Sequence, residues 1–265
     1  EQPMIRALST AASGMEAQEL QIDLIANNIA NVNTTSYKKM RGEFQDLLYD
    51  NLEAPGKEGA DGNQSPTGIQ VGQGTRIAST QRQFTMGDLN QTNGSLDIAI
   101  EGRGFFKFQQ PDGSFVYSRD GSFKTDSQGR MVNSDGLLLD PPIIFPPDVR
   151  DVMIAGDGTV RITRANDTAS VELGQIELVT FANPAGLEAI GHNRYRQTTA
   201  SGIPLIGKPA SEGVGRLNQG FIEMSNVKVV EEMISLIAAQ RAYETNSKII
   251  KAADEMLRNT TMIMR

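Results

Sequence analysis

Residues 5–32, IRALSTAASGMEAQELQIDLIANNIANV, hold no proline, and within them Leu8, Met15, Ile22 and Ile29 recur every seven residues. Ala11, Ile25 and Val32 widen the same apolar stripe, so the spacing predicts one long amphipathic helix. Gln18 is the polar break in that seam, and Gly14 lowers local helix propensity by up to about 1 kcal/mol relative to alanine. Asn31, Asn33, Thr34, Thr35 and Ser36 end the pattern, because short polar side chains bond nearby backbone groups and compete with continuation of the helix.

The other end of the chain repeats the theme. Val229, Leu236, Tyr243, Ile250 and Leu257 again fall at heptad spacing, with Met233, Ala239, Ala253 and Met256 beside them, in a proline-free run to Arg265. Ser225 or Asn226 is the expected N-cap, and Glu231 and Glu232 place negative charge near the positive end of the helix dipole. A helix of about 30 residues is near 45 Å long at a rise of roughly 1.5 Å per residue, and its apolar stripe requires a partner. The residues alone leave two partners open: an intramolecular antiparallel pair resting on the middle of the chain, or an intermolecular bundle.

Between the helices the texture changes. Pro111-Asp112-Gly113, Asp120-Gly121, Gln128-Gly129, Asp135-Gly136 and Asp157-Gly158 are turn signals. They separate short runs such as Phe105–Phe108, Phe115–Tyr117, Val160–Thr163 and Ile176–Thr180, which read as antiparallel strands. From Glu53 to Gly74, proline, glycine, serine, glutamine and asparagine leave little to bury, and an extended loop is expected. The fold class is therefore α+β: long N- and C-terminal helices forming a coiled-coil-like inner domain, a β-rich middle domain and an extended connecting loop. The expected boundaries are 4–35 and 225–265 for the helices, 36–75 for the connecting segment and 76–224 for the β-rich part. Residues 1–3 are set aside because Met4-Ile5-Arg6 reads as a natural start.

Composition narrows the functional classes. The 265 residues are 38% hydrophobic and carry a net charge of −7, which favours neither nucleic acid nor an anionic membrane as partner. With no cysteine, disulfides, thiolate metal sites and thiol nucleophiles are excluded. No stretch approaches the roughly 20 apolar residues of a membrane-spanning helix. His192 is the only histidine, so a histidine metal cluster is impossible, and the residue is expected to be structural or on the surface. Gly102-Arg103-Gly104 leads into an aromatic run where a phosphate loop would open onto a helix, and Gly72-Gln73-Gly74-Thr75 lacks the lysine that such a loop needs. The aspartates at 120, 126, 135, 140, 148 and 157 match no calcium-loop spacing and read as turn formers. Phe105, Phe106 and Phe108 suit core packing in an acidic chain better than base stacking. No cofactor is expected.

Three groups of residues carry a family likeness. Ala26-Asn27-Asn28-Ile29-Ala30-Asn31-Val32-Asn33-Thr34, followed by Ser36-Tyr37-Lys38, closely resembles the N-terminal signature of the flagellar rod and hook proteins. Ser225-Asn226-Val227, Glu231-Glu232-Met233, Gln240-Arg241-Ala242-Tyr243-Glu244 and Asp254-Glu255-Met256-Leu257 resemble the matching C-terminal signature. Gly87-Asp88-Leu89-Asn90-Gln91-Thr92, Ile100–Phe106 and Tyr117–Phe123 extend the likeness through the middle. Phe44–Tyr49 and the loop through Ser65–Gly72 are similar to the distal-rod members of that family.

The resemblance implies a non-enzymatic subunit whose terminal helices pair in an inner layer around an axial channel, with the β-rich part outside and copies arranged helically. It implies Leu8, Met15, Ile22, Ile25, Ile29, Leu236, Tyr243, Ile250 and Leu257 as the assembly interface. Pro55, Pro66, Ile69 and Val71 are implied as inter-subunit loop residues. The implied partners are further copies of the chain, proximal rod and hook proteins at the two ends, and surrounding peptidoglycan and outer-membrane ring proteins. No nucleic acid and no direct membrane insertion are implied. The implied location is the basal body, its rod crossing the periplasm, reached through the flagellar type III channel without signal cleavage. A hook or proximal rod protein is the alternative within the family, and a nonpolymerising surface-binding module the alternative outside it.

Overall fold

The computed structural model describes residues 2–53, 67–165 and 170–263. The chain forms two compact units, each assembled from separated segments. One comprises the described parts of Glu1–Ala30, Met40–Gln81 and Lys228–Arg265; the other comprises Asn31–Lys39 and Arg82–Val227.

The first unit holds the two long helices, α1 (Gln2–Ala30) and α2 (Val229–Ile263). They run antiparallel. Asn28 of α1 bonds Glu232 of α2, whereas fourteen residues back along α1 Gly14 faces Asn246, fourteen residues forward along α2. Asn226, expected as an N-cap of α2, has another task. Its carboxamide accepts from Lys39 N–H at 2.7 Å and donates to the Gln83 carbonyl at 2.8 Å, so the first helical hydrogen bond, from Glu232 N–H, goes to the Lys228 carbonyl. The loop expected from Glu53 to Gly74 is also corrected at both ends. Tyr49–Glu53 and Ile69–Gly72 pair as antiparallel strands, Tyr49 opposite Gly72 and Glu53 opposite Ile69. A ladder satisfies backbone groups whatever the side chains, so a polar, glycine-rich composition did not prevent pairing. Strands Met40–Asp46 and Thr75–Arg82 pair beside it.

The second unit is built on a seven-stranded antiparallel sheet. Its order is Glu188–Gly191, Arg194–Arg196, Phe115–Ser118, Phe106–Gln109, Leu138–Leu139, Met131–Val132 and Lys124–Thr125. A three-stranded sheet, Val149–Ile154, Thr159–Arg164 and Ser170–Gln175, and three strand pairs complete it. The side-chain period of two sorts the phenylalanines. Phe106 and Phe108 enter one core with Ile98, Ile100, Val116, Ile162 and Leu178, while Phe105 turns into a second with Tyr117, Phe181 and Tyr195. In that second cluster Phe105 and Phe181 meet edge to face at 5.7 Å, an arrangement favoured by the ring quadrupole. The turn aspartates act locally: Asp112, Asp126 and Asp157 each accept the N–H two residues ahead at 2.8–2.9 Å. His192 sits exposed in a turn with φ +53°, its Nδ1 3.3 Å from Asp135.

At the heart of this unit lies a buried ion cluster. The Glu223 carboxylate accepts from Lys38 Nζ at 2.5 Å, Arg119 Nε at 2.8 Å and Gly87 N–H at 2.9 Å. All three charged side chains are 2% exposed or less. The remaining four N–H groups of Arg119 donate to the carbonyls of Ile100, Gly102 and Gly104, so its guanidinium is fully satisfied. Lys38 also donates to the Thr85 carbonyl at 2.8 Å. Burial pushes the Lys38 ammonium down to about 8 against the pull of Glu223, and the Arg119 charge adds to the depression. Burial alone would raise the Glu223 carboxyl, but Arg119 and Lys38 together hold it below the usual carboxylate range. Gly87 is required by proximity, since a Cβ there would stand 2.1 Å from the Met224 carbonyl oxygen.

Removing the shared carboxylate strands two buried cations, so Glu223→Gln is expected to lower unfolding stability at pH 7 by about 3–5 kcal/mol in urea titrations. Below the ordinary value of 4.5 the unfolded carboxyl binds protons that the native one does not. The wild-type advantage is therefore full from that pH up to about 8, where Lys38 begins to lose its proton, and narrows as pH falls through the lowered native value. Gly87→Ala should cost about 1–3 kcal/mol by overpacking, measured in the same titration.

Candidate assembly surface

The helix pair is held by small residues and one polar lock. Ala11, Ala17, Ala239 and Ala253 are buried, and with Gly14 against Asn246 they let the two backbones approach closely. Asn28 is the lock. Its carboxamide exchanges both hydrogen bonds with the backbone of Met40, N–H to Oδ1 and Nδ2 to carbonyl, each at 2.9 Å, and its Nδ2 also reaches Glu232 at 3.1 Å. Asn28 and Glu232 are both buried, so this single amide joins α1, the strand that follows it and α2.

The expected interface residues take varied positions. Ile25 is buried; Leu8, Met15, Ile22 and Ile29 on α1 and Leu236, Ile250 and Leu257 on α2 are half-buried; Tyr243 is 40% exposed. Ile69 is exposed and Val71 half-buried in the strand pair, and Pro55 and Pro66 lie outside the described residues.

A second apolar stripe stands beside these. Val230, Met233, Ile234 and Ile237 recur at helical i, i+3, i+4 and i+7 spacing and are 69%, 52%, 63% and 48% exposed. Ile249 and Met256 continue exposed apolar surface farther along α2. Heptad counting singled out one stripe of α2, whereas the periodic run Val230–Ile237 was the available signal for the other. Leu48, Tyr49 and Leu52, in and just before the strand Tyr49–Glu53, are exposed too. Exposed apolar residues at helical spacing make Val230–Ile237 a candidate binding face. No helix among the described residues is long and apolar enough to cross a membrane.

Near the other end of the pair, a cleft of about 480 Å³ opens between the helices and the strand pair, lined by Ala7, Thr10, Leu52, Val71 and Ile249, with Arg6 and Asn246 among its walls. Arg6 Nη1 is tied to Asp50 at 2.9 Å.

Comparison with known proteins places the chain in a family. Residues 8–38 match the family described as flagella basal body rod protein, 99–162 the flagellar hook protein FlgE/F/G D1 domain, and 218–262 the flagellar basal body rod FlgEFG protein C-terminal family. The flagellar basal-body rod protein FlgG of Borreliella burgdorferi is 50% identical over 256 residues, 96% of this chain and 97% of its own. In Caulobacter vibrioides the FlgG protein is 44% identical over 98% of this chain and 99% of its own, and the FlgF protein is 33% identical over 97% and 96%. With likeness of this order running through both units from one terminal helix to the other, the chain belongs to the family of the flagellar basal-body rod protein FlgG, a structural constituent of the flagellar rod.

Proposed function

We propose that this chain is the distal-rod subunit, polymerising helically into a rigid hollow shaft that carries motor torque to the hook and encloses the export channel. The observation that carries the reading is the wide margin of FlgG over FlgF identity within one organism, over nearly full length in both cases. The exposed stripe Val230–Ile237 supports it physically: a helix face with this much open apolar area gains free energy only when another surface covers it. A heterologous interface that does not close into a ring generates an open helical polymer, which needs packing faces and no catalytic group.

In this reading α1 and α2 form a coiled-coil-like inner layer around the channel, and Leu8, Met15, Ile22, Ile25, Ile29, Leu236, Tyr243, Ile250 and Leu257 contribute to assembly. Pro55, Pro66, Ile69 and Val71 touch neighbouring copies and stiffen the shaft. The partners are further copies, proximal rod and hook proteins at the ends, and the peptidoglycan and rings around a shaft that crosses the periplasm. Subunits arrive through the flagellar type III channel without signal cleavage, a route compatible with a chain that has no cysteine.

Concentrated full-length chain should form straight hollow tubes by electron cryomicroscopy, and an Ile22→Asp, Ile250→Asp double variant should form none, because buried apolar seams tolerate unpaired charge poorly. Tubes from the double variant at wild-type concentration would contradict the assembly role of both helices. Deleting residues 54–66 should leave tubes that bend, read as a shorter persistence length in the same images; an unchanged straight rod would remove the stiffening role.

A further inference from the structure

We propose that Asn93-Gly94 is a self-modifying site, at which the Gly94 amide nitrogen attacks the Asn93 carboxamide with the help of Gln91, Thr92 and Asp97. It is the one Asn-Gly pair in the sequence. The site lies wholly within the strand-rich unit and stands independently of the rod-subunit reading.

The attack needs an activated nitrogen and a stabilised oxygen, and the loop supplies both. Gln91 Nε2 donates to Asn93 Oδ1 at 2.8 Å, where negative charge gathers as the carboxamide carbon turns tetrahedral. Gly94 N–H donates to Thr92 Oγ1 at 3.3 Å, and the Thr92 hydroxyl donates to Asp97 Oδ2 at 2.5 Å. Thr92 has one proton to give, and a carboxylate at that distance takes it in preference to the Gly220 carbonyl at 3.4 Å. The two bonds form a relay by which Asp97 draws a proton from the Gly94 nitrogen through the hydroxyl, a nucleophile activated by an oriented base. Position 94 has to be glycine for this, because a Cβ there would stand 2.4 Å from the same Asp97 oxygen and displace the base.

Water is the one co-reactant. The Gly94 nitrogen bonds to Asn93 Cγ as its proton passes through Thr92 to Asp97; the Cγ–Nδ2 bond then breaks, the proton is returned to Nδ2, and ammonia leaves. Water opens the five-membered imide at either carbonyl, leaving aspartate or isoaspartate at position 93, and the released ammonia takes up the new carboxyl proton. Asn93 is exposed, so water reaches the imide. The product carries a new negative charge and, as isoaspartate, one extra methylene in the backbone. Both changes fall where the Thr92 and Asn93 N–H groups share the Gly220 carbonyl, at 2.8 and 3.2 Å, and Gly220 N–H bonds the Asp97 carbonyl at 2.7 Å. The change runs one way, so it records the age of a chain at this crossing of strands.

The test incubates the full-length chain in dilute buffer and follows the peptide holding residue 93 by mass spectrometry for exchange of NH2 for OH. The native chain should convert at least ~10-fold faster than the same chain unfolded in urea, where the relay is absent. Its rate should change little from about pH 6 to about pH 8, because Asp97 supplies the base, whereas the unfolded chain should accelerate with hydroxide. Thr92→Val and Asp97→Asn should each lower the native rate at least ~10-fold with the thermal unfolding midpoint kept, and Thr92→Ser, which retains the hydroxyl, should keep the wild-type rate. Native conversion no faster than in urea, a native rate that climbs in proportion to hydroxide, or wild-type rates from Thr92→Val and Asp97→Asn overturns the proposal. Should the two variants fail to fold, the native-to-urea ratio and the pH profile of the wild-type chain decide it.

Discussion

The second unit depends on one carboxylate. Glu223 lies just before α2, Lys38 shortly after α1, and Arg119 at the end of the strand Phe115–Ser118, so a single buried group ties the segment by which the chain enters this unit to the one by which it leaves. Two cations on one carboxylate leave a net positive charge in the interior. It is tolerable because Arg119 spends its other donors on three carbonyls of the turn Ile100–Gly104 and Lys38 spends one on Thr85. Hydrophobic residues of similar volume could replace such a cluster at little cost to stability, but they would not specify which segments must meet. We attribute the cluster's role to that specificity: it brings together two stretches about 185 residues apart in sequence in an arrangement that gives each charged side chain hydrogen-bond partners.

The same cluster gathers several of the stretches that carry the family likeness. Ser36-Tyr37-Lys38, Gly87, the turn Ile100–Gly104 and Tyr117-Ser118-Arg119 look like unrelated short motifs along the chain. In three dimensions most of them are contacts of one site: Gly87 offers its N–H, the turn its carbonyls, Ser36 its hydroxyl to the Arg119 carbonyl at 2.9 Å, and Ser36 N–H bonds the Glu223 carbonyl at 2.8 Å. Asn28 plays the corresponding part in the helical unit, where its amide serves a strand backbone and Glu232 together. Both act as structural locks that join distant stretches of chain.

Much of this was legible in the sequence. Two long helices announced themselves by seven-residue apolar recurrence and the absence of proline, and the strand-rich middle by Asp-Gly turns between aromatic runs. What periodicity could not decide was which face of α2 is turned inward. The helix bears two apolar stripes, and the buried positions are often alanines, Ala239 and Ala253, which carry little weight in a hydrophobicity count although they govern how closely backbones approach. The ion cluster was invisible for a different reason: a lone lysine, arginine and glutamate carry no local signal, and only tertiary structure brings them together. The strand pair Tyr49–Glu53 with Ile69–Gly72 was missed because most of its side chains are polar or exposed, so backbone hydrogen bonding mainly defines it.

The two units divide the physical tasks between them. The strand-rich unit buries Phe106, Phe108, Ile98 and Ile100 completely in a core of its own. The helical unit hides alanines, Leu24, Ile25 and one polar lock, and leaves Val230, Met233, Ile234 and Ile237 open. A chain that buried both would be a more stable monomer with no reason to assemble; one that exposed both would aggregate without direction. Apolar area held at helical i, i+3, i+4 and i+7 positions gives the attraction a direction, and direction is what separates a polymerising subunit from a merely sticky one.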